Sequence, residues 1–292
     1  MALPVVESVA SNSSTSGTVT VTAPSGIQVG DLLIGSYTSF RLDGGQTAAT
    51  PAGFTLVQTS DTTDFRGTVR AFKKVADSAD TTASNYVFTS VGAEYMQGSM
   101  VRVSGAAPGL EITVSEKDFI ASNGSTTINN TGTTTPPTSE SIMVLISGGH
   151  DASIGAIVTT GTYTSTPSVT WTQRVDLGYN GGSSYGSSHA VATAPYTGTT
   201  EFTSYGYATS EVFSEVVSIL LVVSSPENAT GTNALLQVSP TQFTQAGVAG
   251  TTGTNALHAV SPTMFEQNGS GTSPTVWTNE AKPSTTWTNE QK

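Results

Sequence analysis

Gly30-Asp31-Leu32-Leu33-Ile34-Gly35-Ser36-Tyr37 is the stretch of this sequence that decides the fold. It follows a turn-like Pro24-Ser25-Gly26 and leads into a polar loop that is rich in glycine. An apolar run this short, with glycine on both sides, predicts a core strand of a β-sandwich rather than a helix. We therefore expect the first part of the chain to be built around this strand.

Other strand patterns surround this run at the spacing that is typical of a sandwich. Thr18-Val19-Thr20-Val21-Thr22 alternates polar and apolar residues, which predicts a half-buried strand. A Pro-Gly turn leads into a further strand at 51–57, and three more are predicted at 68–75, 86–90 and 99–104. Together they predict an antiparallel β-sandwich domain of jelly-roll or immunoglobulin-like type over residues 1–105.

The same pattern returns about 110 residues later, where residues 136–146 repeat the order of proline turn, spacer and apolar strand. Residues 142–146 then correspond to 32–36, so that Met143 is equivalent to Leu33. Four more blocks follow in the same order: 170–172 matches 53–55, 190–192 matches 69–71, 201–204 matches 87–90, and 220–224 matches 100–104. These matches predict a tandem duplication, with a second β-sandwich over residues 106–225.

The composition agrees with an all-β protein and excludes several classes of function. Glycine and threonine are abundant, and β-branched threonine suits the solvent-facing side of strands. The net charge of −11 argues against a nucleic-acid partner, because phosphate contacts need clustered Lys and Arg. With no cysteine, disulfides play no part. The longest apolar run, at 216–223, is too short to span a bilayer, and the N-terminus lacks the pattern of a secretory signal.

The chain changes character over residues 226–292, where short repeats replace the sandwich pattern. Residues 231–243 recur as 253–265, and Trp-Thr-Asn-Glu occurs twice, at 277–280 and 287–290. Two interpretations are open: a flexible tail with recurrent composition, or an extended arm that docks on a partner through its repeated aromatic residues. Aromatic side chains carry much of the energy of small interfaces, which favours the arm. Its predicted partner-binding residues are Phe243, Phe265, Trp277 and Trp287.

The sequence contains no convincing catalytic or metal-binding motif. His150, His189 and His258 lack a second His or Cys at metal-ligand spacing, which argues against a zinc site. No Gly-x-Ser-x-Gly elbow supports a Ser-His-Asp triad. We therefore expect a protein that is not an enzyme and that uses no cofactor or metal.

Acidic residues give equally little support for glycoside hydrolysis or for a calcium loop. Asp61 with Asp64, and Glu211 with Glu215, are the close carboxylate pairs. The first pair is typical of a turn, and the second of exposed positions beside a strand. A calcium loop would need denser, alternating carboxylates.

Tyrosines in the second predicted sandwich form the most suggestive binding pattern. Tyr179, Tyr185, Tyr196, Tyr205 and Tyr207 lie among Gly, Ser and Asn, a composition that is typical of adaptable binding surfaces. All except Tyr196 are candidate glycan-binding residues, because their rings could stack on sugars. The alternative is that these tyrosines pack loops onto the sandwich or onto a neighbouring subunit.

Four blocks of the first predicted sandwich resemble a known family. Residues 30–34, 51–57, 70–76 and 86–89 resemble a β-sandwich module that is found in structural proteins of tailed bacteriophages. The resemblance covers residues 17–104, with a degraded copy up to 225 in which Glu140-Ser141 replaces the Gly-Asp before the strand. The Trp-Thr-Asn-Glu repeats are similar to the tails of short phage proteins encoded among virion genes. The family supplies no catalytic residues.

This resemblance implies a non-enzymatic virion structural protein, made in the host cytoplasm, that belongs to the head, neck or tail. We expect outward-displayed sandwiches, as in a head fibre or capsid decoration protein, and an arm that binds other virion proteins or interlocks copies into a homo-oligomer. No membrane insertion is expected. The alternative is a carbohydrate-binding adhesin of a tail fibre that recognises a host-surface glycan, and a more distant alternative is a depolymerase.

Overall fold

Most of the described part of the chain is β-strand. The computed structural model describes residues 3–41, 45–61, 66–106, 112–130, 134–136, 140–151, 161–180, 186–202 and 204–225. The predicted arm, with Phe243, Phe265, Trp277 and Trp287, lies outside these residues. Within them the strands pair in antiparallel fashion and one short 3-10 helix, Asp80–Thr82, interrupts the pattern. The prediction of an all-β sandwich fold is confirmed.

The strands are numbered in chain order. They are β1 Val5–Ser14, β2 Thr18–Thr22, β3 Leu32–Phe40, β4 Thr47–Ala48, β5 Thr55–Asp61, β6 Gly67–Val75, β7 Asn85–Val91, β8 Tyr95–Ser104, β9 Ile112–Asn130, β10 Glu140–Asp151, β11 Gly161–Thr166, β12 Thr172–Asn180, β13 Gly186–Thr197 and β14 Ser204–Ser224.

The predicted core strand is β3, at the centre of a five-stranded sheet with the order β1-β8-β3-β6-β5. All nine of its residues are buried, because both faces of this sheet are covered. A three-stranded sheet, β2-β7-β4, covers one face. Leu33, Tyr37 and Phe72 from the larger sheet pack there against Val19 and Phe88 from the smaller one. Residues 3–106 thus form the predicted sandwich.

The strand order of the first sheet is repeated in the second half of the chain. There β10 is central, and the order β9-β14-β10-β13-β12 matches β1-β8-β3-β6-β5 strand for strand. The registers agree as well: Leu33 pairs with Lys74 and Arg102, and Met143 pairs with Ala194 and Val222. The matching bulges of the neighbouring edge strands set this correspondence and place Leu33 and Met143 at equivalent positions, as the sequence matches predict.

Both sheets also carry β-bulges at equivalent places. In the edge strands next to β6 and β13, the bulges lie between Leu56 and Gln58 and between Gln173 and Val175. A second pair of equivalent bulges lies in the strands next to β8 and β14. One is between Val6 and Ser8 in β1, and the other is between Ile112 and Val114 in β9. Bulges mark individual positions of a strand, so their repetition is a strong sign of common descent.

One matched block was displaced by a single residue. The sequence comparison sets residues 190–192 against 69–71, whereas the register makes Lys74 equivalent to Ala194 and hence Val69 equivalent to His189. A slip of one residue exchanges the two faces of a strand. This correction brings His189, rather than Ala190, to the face that Val69 occupies.

In the second half, the outer layer continues from the main strands without a break. The first part of β14, up to Thr209, pairs with β11 and with the end of β9, as β7 pairs with β4 and β2. On this side of the sheet, Met143 and Leu220 pack with Phe202 and are partly covered by Tyr163 and Trp171. Trp171 precedes β12 as Phe54 precedes β5, in agreement with the predicted match.

The two five-stranded arrays stack on each other through a shared apolar layer. Leu32, Ile34 and Val101 from the first half pack with Ile146 and Leu221 from the second. We call this contact surface the seam. The predicted boundary near residue 105 separates the strands of the two halves, yet residues 1–226 form one compact unit because the halves bury this layer together.

Candidate functional site

The most elaborate polar arrangement among the described residues lies inside the seam. His189 Nε2 is 2.9 Å from Ser99 Oγ and 3.2 Å from Ser36 Oγ, and its Nδ1 is 2.9 Å from Thr38 Oγ1. The Ser36 and Ser99 hydroxyls are themselves 2.7 Å apart. We call these four residues the His189 cluster. It joins β13 of the second half to β3 and β8 of the first.

The chemistry of this cluster is that of a neutral, buried imidazole. His189 is completely buried, and burial lowers its pKa from 6.5 to about 3. Serine beside histidine is the pair that a nucleophilic enzyme uses, but such a pair needs an orienting group and room for a substrate. The hydrogen bonds described for His189 are all to hydroxyls, and Ser36 and Ser99 are buried as well. The geometry favours a structural role that holds the two halves together.

A second polar contact extends the cluster along the seam. The Gln97 side-chain amide donates to the Ser187 carbonyl oxygen at 3.0 Å, and the Ser187 hydroxyl donates back to Gln97 Oε1 at 3.2 Å. Neither contact is predicted from the sequence, because residues about 90 positions apart share no local pattern. The polar residues of Ser187-Ser188-His189, in a strand that is buried along most of its length, are the signal that could have found them.

An aromatic row crosses the end of the seam beyond Gln97. The rings of Phe40 and His150 are 5.2 Å apart, those of Phe40 and Tyr95 are 6.3 Å apart, and those of Tyr95 and Tyr179 stack at 4.1 Å. Phe40 is buried, while Tyr95 and Tyr179 are half-buried. The structure thus joins one candidate glycan-binding residue, Tyr179, to a ring from the first half that sequence analysis did not single out.

The other tyrosine candidates lie elsewhere in the chain. Tyr205 and Tyr207 belong to the first part of β14, in register with Ser165 and Tyr163 of β11. Tyr185 lies outside the described residues. Tyr196 is buried, and its hydroxyl donates to the Thr200 carbonyl oxygen at 2.8 Å, as the packing interpretation expects.

Of the carboxylate candidates, Asp61 has a structural contact, while Glu211 and Glu215 lie within β14 rather than beside a strand as expected. The Thr68 hydroxyl donates to Asp61 Oδ1 at 2.8 Å, at the end of β5. Asp64 lies outside the described residues. Within the described part of the chain, no group of three or more His, Asp or Glu side chains is arranged to hold a metal ion. The same part of the chain contains no helix with the length and apolarity needed to cross a membrane.

Comparison with known proteins adds no relative. No model of a known protein family matches the chain. Neither the curated proteins nor the solved structures that were compared with it give a match.

Proposed function

We propose that this chain is a non-enzymatic structural protein of a phage virion. In this proposal the two sandwiches are displayed outward, as in a capsid decoration protein, a head fibre or a tail or neck component. Residues 226–292 attach them to other virion proteins or interlock copies into a homo-oligomer. The proposal rests on the resemblance of the sandwich modules and repeats, and on one structural observation.

That observation is the position of the chain ends on the paired sandwiches. β1 begins at Val5, opposite Ser104, and the Ser225 amide donates to the Glu140 carbonyl oxygen at 2.9 Å where β14 ends. Both points lie at the same end of the stacked sheets, which we call the terminal pole. The aromatic row lies at the other end, which we call the loop pole. Because Ser225 lies at the terminal pole, a segment that continues from it starts at the pole opposite the aromatic row, which suits a protein anchored through that segment.

Particle composition tests this proposal directly. Phage particles purified by density gradient should contain the full-length chain at a fixed number of copies per particle, measured by quantitative mass spectrometry. A chain that ends at residue 225 should be absent from these particles although it accumulates in the host. Recovery of the protein only in the soluble fraction, with none in particles, would show that it is not a virion component.

A second candidate, a carbohydrate-binding adhesin, is favoured by the Tyr95–Tyr179 pair. These half-buried rings stack at 4.1 Å at the loop pole, away from the start of the arm. Half-buried tyrosines give rigid amphipathic contact area at small cost in conformational entropy. Glycan-array binding that is lost in Tyr179→Ala but kept in Tyr86→Ala, a tyrosine near the terminal pole, would support this function. An array on which the wild-type protein binds no glycan would dismiss it.

A further inference from the structure

The seam has the geometry of a two-fold interface. Phe40 of β3 and His150 of β10 hold equivalent positions, and their rings are in contact at 5.2 Å. Thr38 and Gly148, also equivalent, meet in the same way, since a Cβ on Gly148 would overlap Thr38. The edge strands follow the same symmetry. In the strand order β1 is equivalent to β9, and β5 to β12. Across the seam β1 contacts β12 and β5 contacts β9, so that the same kind of contact occurs on both sides. Equivalent residues that face each other mark a two-fold axis, which here runs between β3 and β10 along the strands.

A two-fold axis makes every contact across the seam occur twice, once on each side, and the His189 cluster therefore has a counterpart. The register makes Val69 equivalent to His189, Ile146 to Ser36, and Ile219 to Ser99. Val69, Ile146 and Ile219 belong to the apolar layer of the seam. One side of the axis is thus an imidazole among hydroxyls, and the other is a valine among isoleucines.

The neighbouring contacts follow the same division. Gln97 and Ser187 exchange two hydrogen bonds, and their equivalents are Val217 and Gly67. Each contact on one side of the two-fold axis has an equivalent on the other side. The polar contact of each such pair lies on the side of His189, and the apolar contact lies on the side of Val69. All the hydroxyls of the polar contacts except that of Ser187 come from the first sandwich.

The contact on the axis adds a steric difference. Gly148 has no side chain, and a Cβ there would overlap both Thr38 and Val69. Two copies of the first sandwich would bring threonine against threonine at this point, in space that now admits only one side chain. Two copies of the second sandwich would bring glycine against glycine and leave a gap.

From these contacts we infer that the seam is heterospecific: the first sandwich is built to bind the second and to reject a copy of itself. Pairing two first sandwiches would set the hydroxyls of Ser36, Thr38 and Ser99 against valine on both sides of the axis. Pairing two second sandwiches would bury His189 against isoleucine twice. In the first case Ser36 and Ser99 keep their mutual hydrogen bond, but these hydroxyls and that of Thr38 lose their contacts with the imidazole nitrogens; in the second case the imidazole itself loses its partners. Burying polar groups with unmet hydrogen bonds is costly, so both like pairings are disfavoured. The partner that fits this face is the second sandwich of the same chain.

Two single substitutions in the full-length chain reproduce the rejected contacts. Val69→His sets an imidazole against Ile146 and Ile219, as two second sandwiches would. His189→Val sets a valine against the three hydroxyls, as two first sandwiches would. We expect each substitution to lower the melting midpoint of the sandwich transition by about 4 °C or more, because it leaves buried polar groups unpaired.

Matched variants separate polarity from size. Val69→Leu enlarges the side chain without adding a polar group, so it should lower the midpoint less than Val69→His. Adding Ile219→Ser to Val69→His supplies a hydroxyl at the position equivalent to Ser99. The double variant should therefore melt at a higher temperature than the sum of the midpoint losses of the two single variants predicts. Adding Ser36→Ala and Ser99→Ala to His189→Val should likewise recover part of its loss. Should Val69→His yield no folded protein, Val69→Asn takes its place in the same comparison.

The outcome that overturns the inference is additivity. If Ile219→Ser and Val69→His lower the midpoint independently, or if Val69→Leu costs as much as Val69→His, then polarity does not discriminate between the two sides. Midpoint losses below about 1 °C for both Val69→His and His189→Val would equally show that the seam does not select its partner.

Discussion

Leu33 shows at the scale of one residue what the core of the first sandwich requires. Its side chain is fully buried between the five-stranded and three-stranded sheets. We expect Leu33→Ala to lower the free energy of unfolding by about 2–5 kcal/mol, since it removes buried methyl groups and leaves a cavity. Urea denaturation of the full-length chain measures this loss, and Val87→Ala, an exposed position, serves as the control. A near-neutral Leu33→Ala would mean that β3 is not a core strand.

The buried imidazole of His189 should make the free energy of unfolding depend on pH. Its pKa is held at about 3 in the folded protein by burial, against 6.5 ordinarily, so the unfolded chain binds a proton over this range and the folded chain does not. Stability from this residue is therefore unchanged above pH 6.5 and falls as the pH drops from 6.5 towards 3, by about 1.4 kcal/mol per pH unit.

The difference between variants isolates this contribution from that of the carboxylates. His189→Gln should flatten the dependence of unfolding free energy on pH by that slope, because glutamine does not titrate. Ser99→Ala should be less stable than wild type at every pH but keep the slope, because the imidazole remains. If wild type and His189→Gln show parallel pH profiles, the buried neutral imidazole is not present.

Asp31 and Arg102 form an ion pair that exists in only one of the two sandwiches. Arg102 Nε donates to Asp31 Oδ2 at 2.6 Å, and the backbone N–H of Gln28 donates to the same oxygen at 2.7 Å. The equivalent positions are Ser141 and Val222, so the second sandwich replaces the pair with a hydroxyl and an apolar side chain. The Asp31 of the Gly30-Asp31 step thus makes an ion pair whose two positions are taken by Ser141 and Val222 in the second sandwich.

Breaking this pair should be costly because both side chains are nearly buried. We expect Arg102→Ala to lower the free energy of unfolding by about 1.5–3 kcal/mol, the usual worth of a hydrogen bond to a charged group. Thermal and urea unfolding measure it, and Arg102→Lys should lose less, since it keeps the charge. An Arg102→Ala variant as stable as wild type would show that the pair contributes nothing net.

At the scale of strands, the Tyr95–Tyr179 stack ties β8 to β12 across the end of the seam. The ring centroids lie 4.1 Å apart, and β12 is an edge strand that pairs only with β13 in the described sheet. Tyr179→Ala should therefore destabilise the protein by the lost burial plus about 0.5–1.5 kcal/mol for the aromatic pair. A double-mutant cycle with Tyr95→Ala measures the second contribution, and additive effects would mean that the two rings do not interact.

Strand equivalence also explains how the second sandwich closes. β9 and β14 run continuously where the first sandwich uses two strands each, β1 with β2 and β7 with β8. The register of β9 against β14 shifts around Phe213, between the part that pairs with β11 and the part that pairs with β10. The duplicated halves thus share their sheet order and bulges but differ in how the outer layer is connected.

For the whole molecule, the prediction concerns the segment after residue 225. Residues 226–292 are rich in polar residues and have few apolar ones, and ordering a chain costs about 1–2 kcal/mol per residue in backbone entropy. We expect a chain truncated after residue 225 to melt like the full-length protein in calorimetry, because the sandwiches do not depend on the arm. Assembly into particles should be abolished. Normal incorporation of the truncated chain, or a lowered melting midpoint, would contradict this view of the C-terminus.

Blocks of sequence that match between the two halves can be compared with the strand register. The matches of 142–146 with 32–36 and of 220–224 with 100–104 agree with the register, because these central strands are apolar along their length in both halves. The match of 190–192 with 69–71 was wrong by one residue. In β13, small and polar residues replace the larger apolar ones, so composition alone did not show which face each residue occupies.

The sequence by itself determined the all-β fold, the strands around Leu33 and Met143, and their repetition, because alternation and turn residues act over a few neighbouring positions. Only the tertiary structure decided that the two sandwiches stack back to back and share one apolar layer. It also decided that His189 meets Ser36, Thr38 and Ser99, which lie 90 or more positions away along the chain. Contacts of this kind depend on how two finished sheets fit together, and no local pattern of residues carries that information.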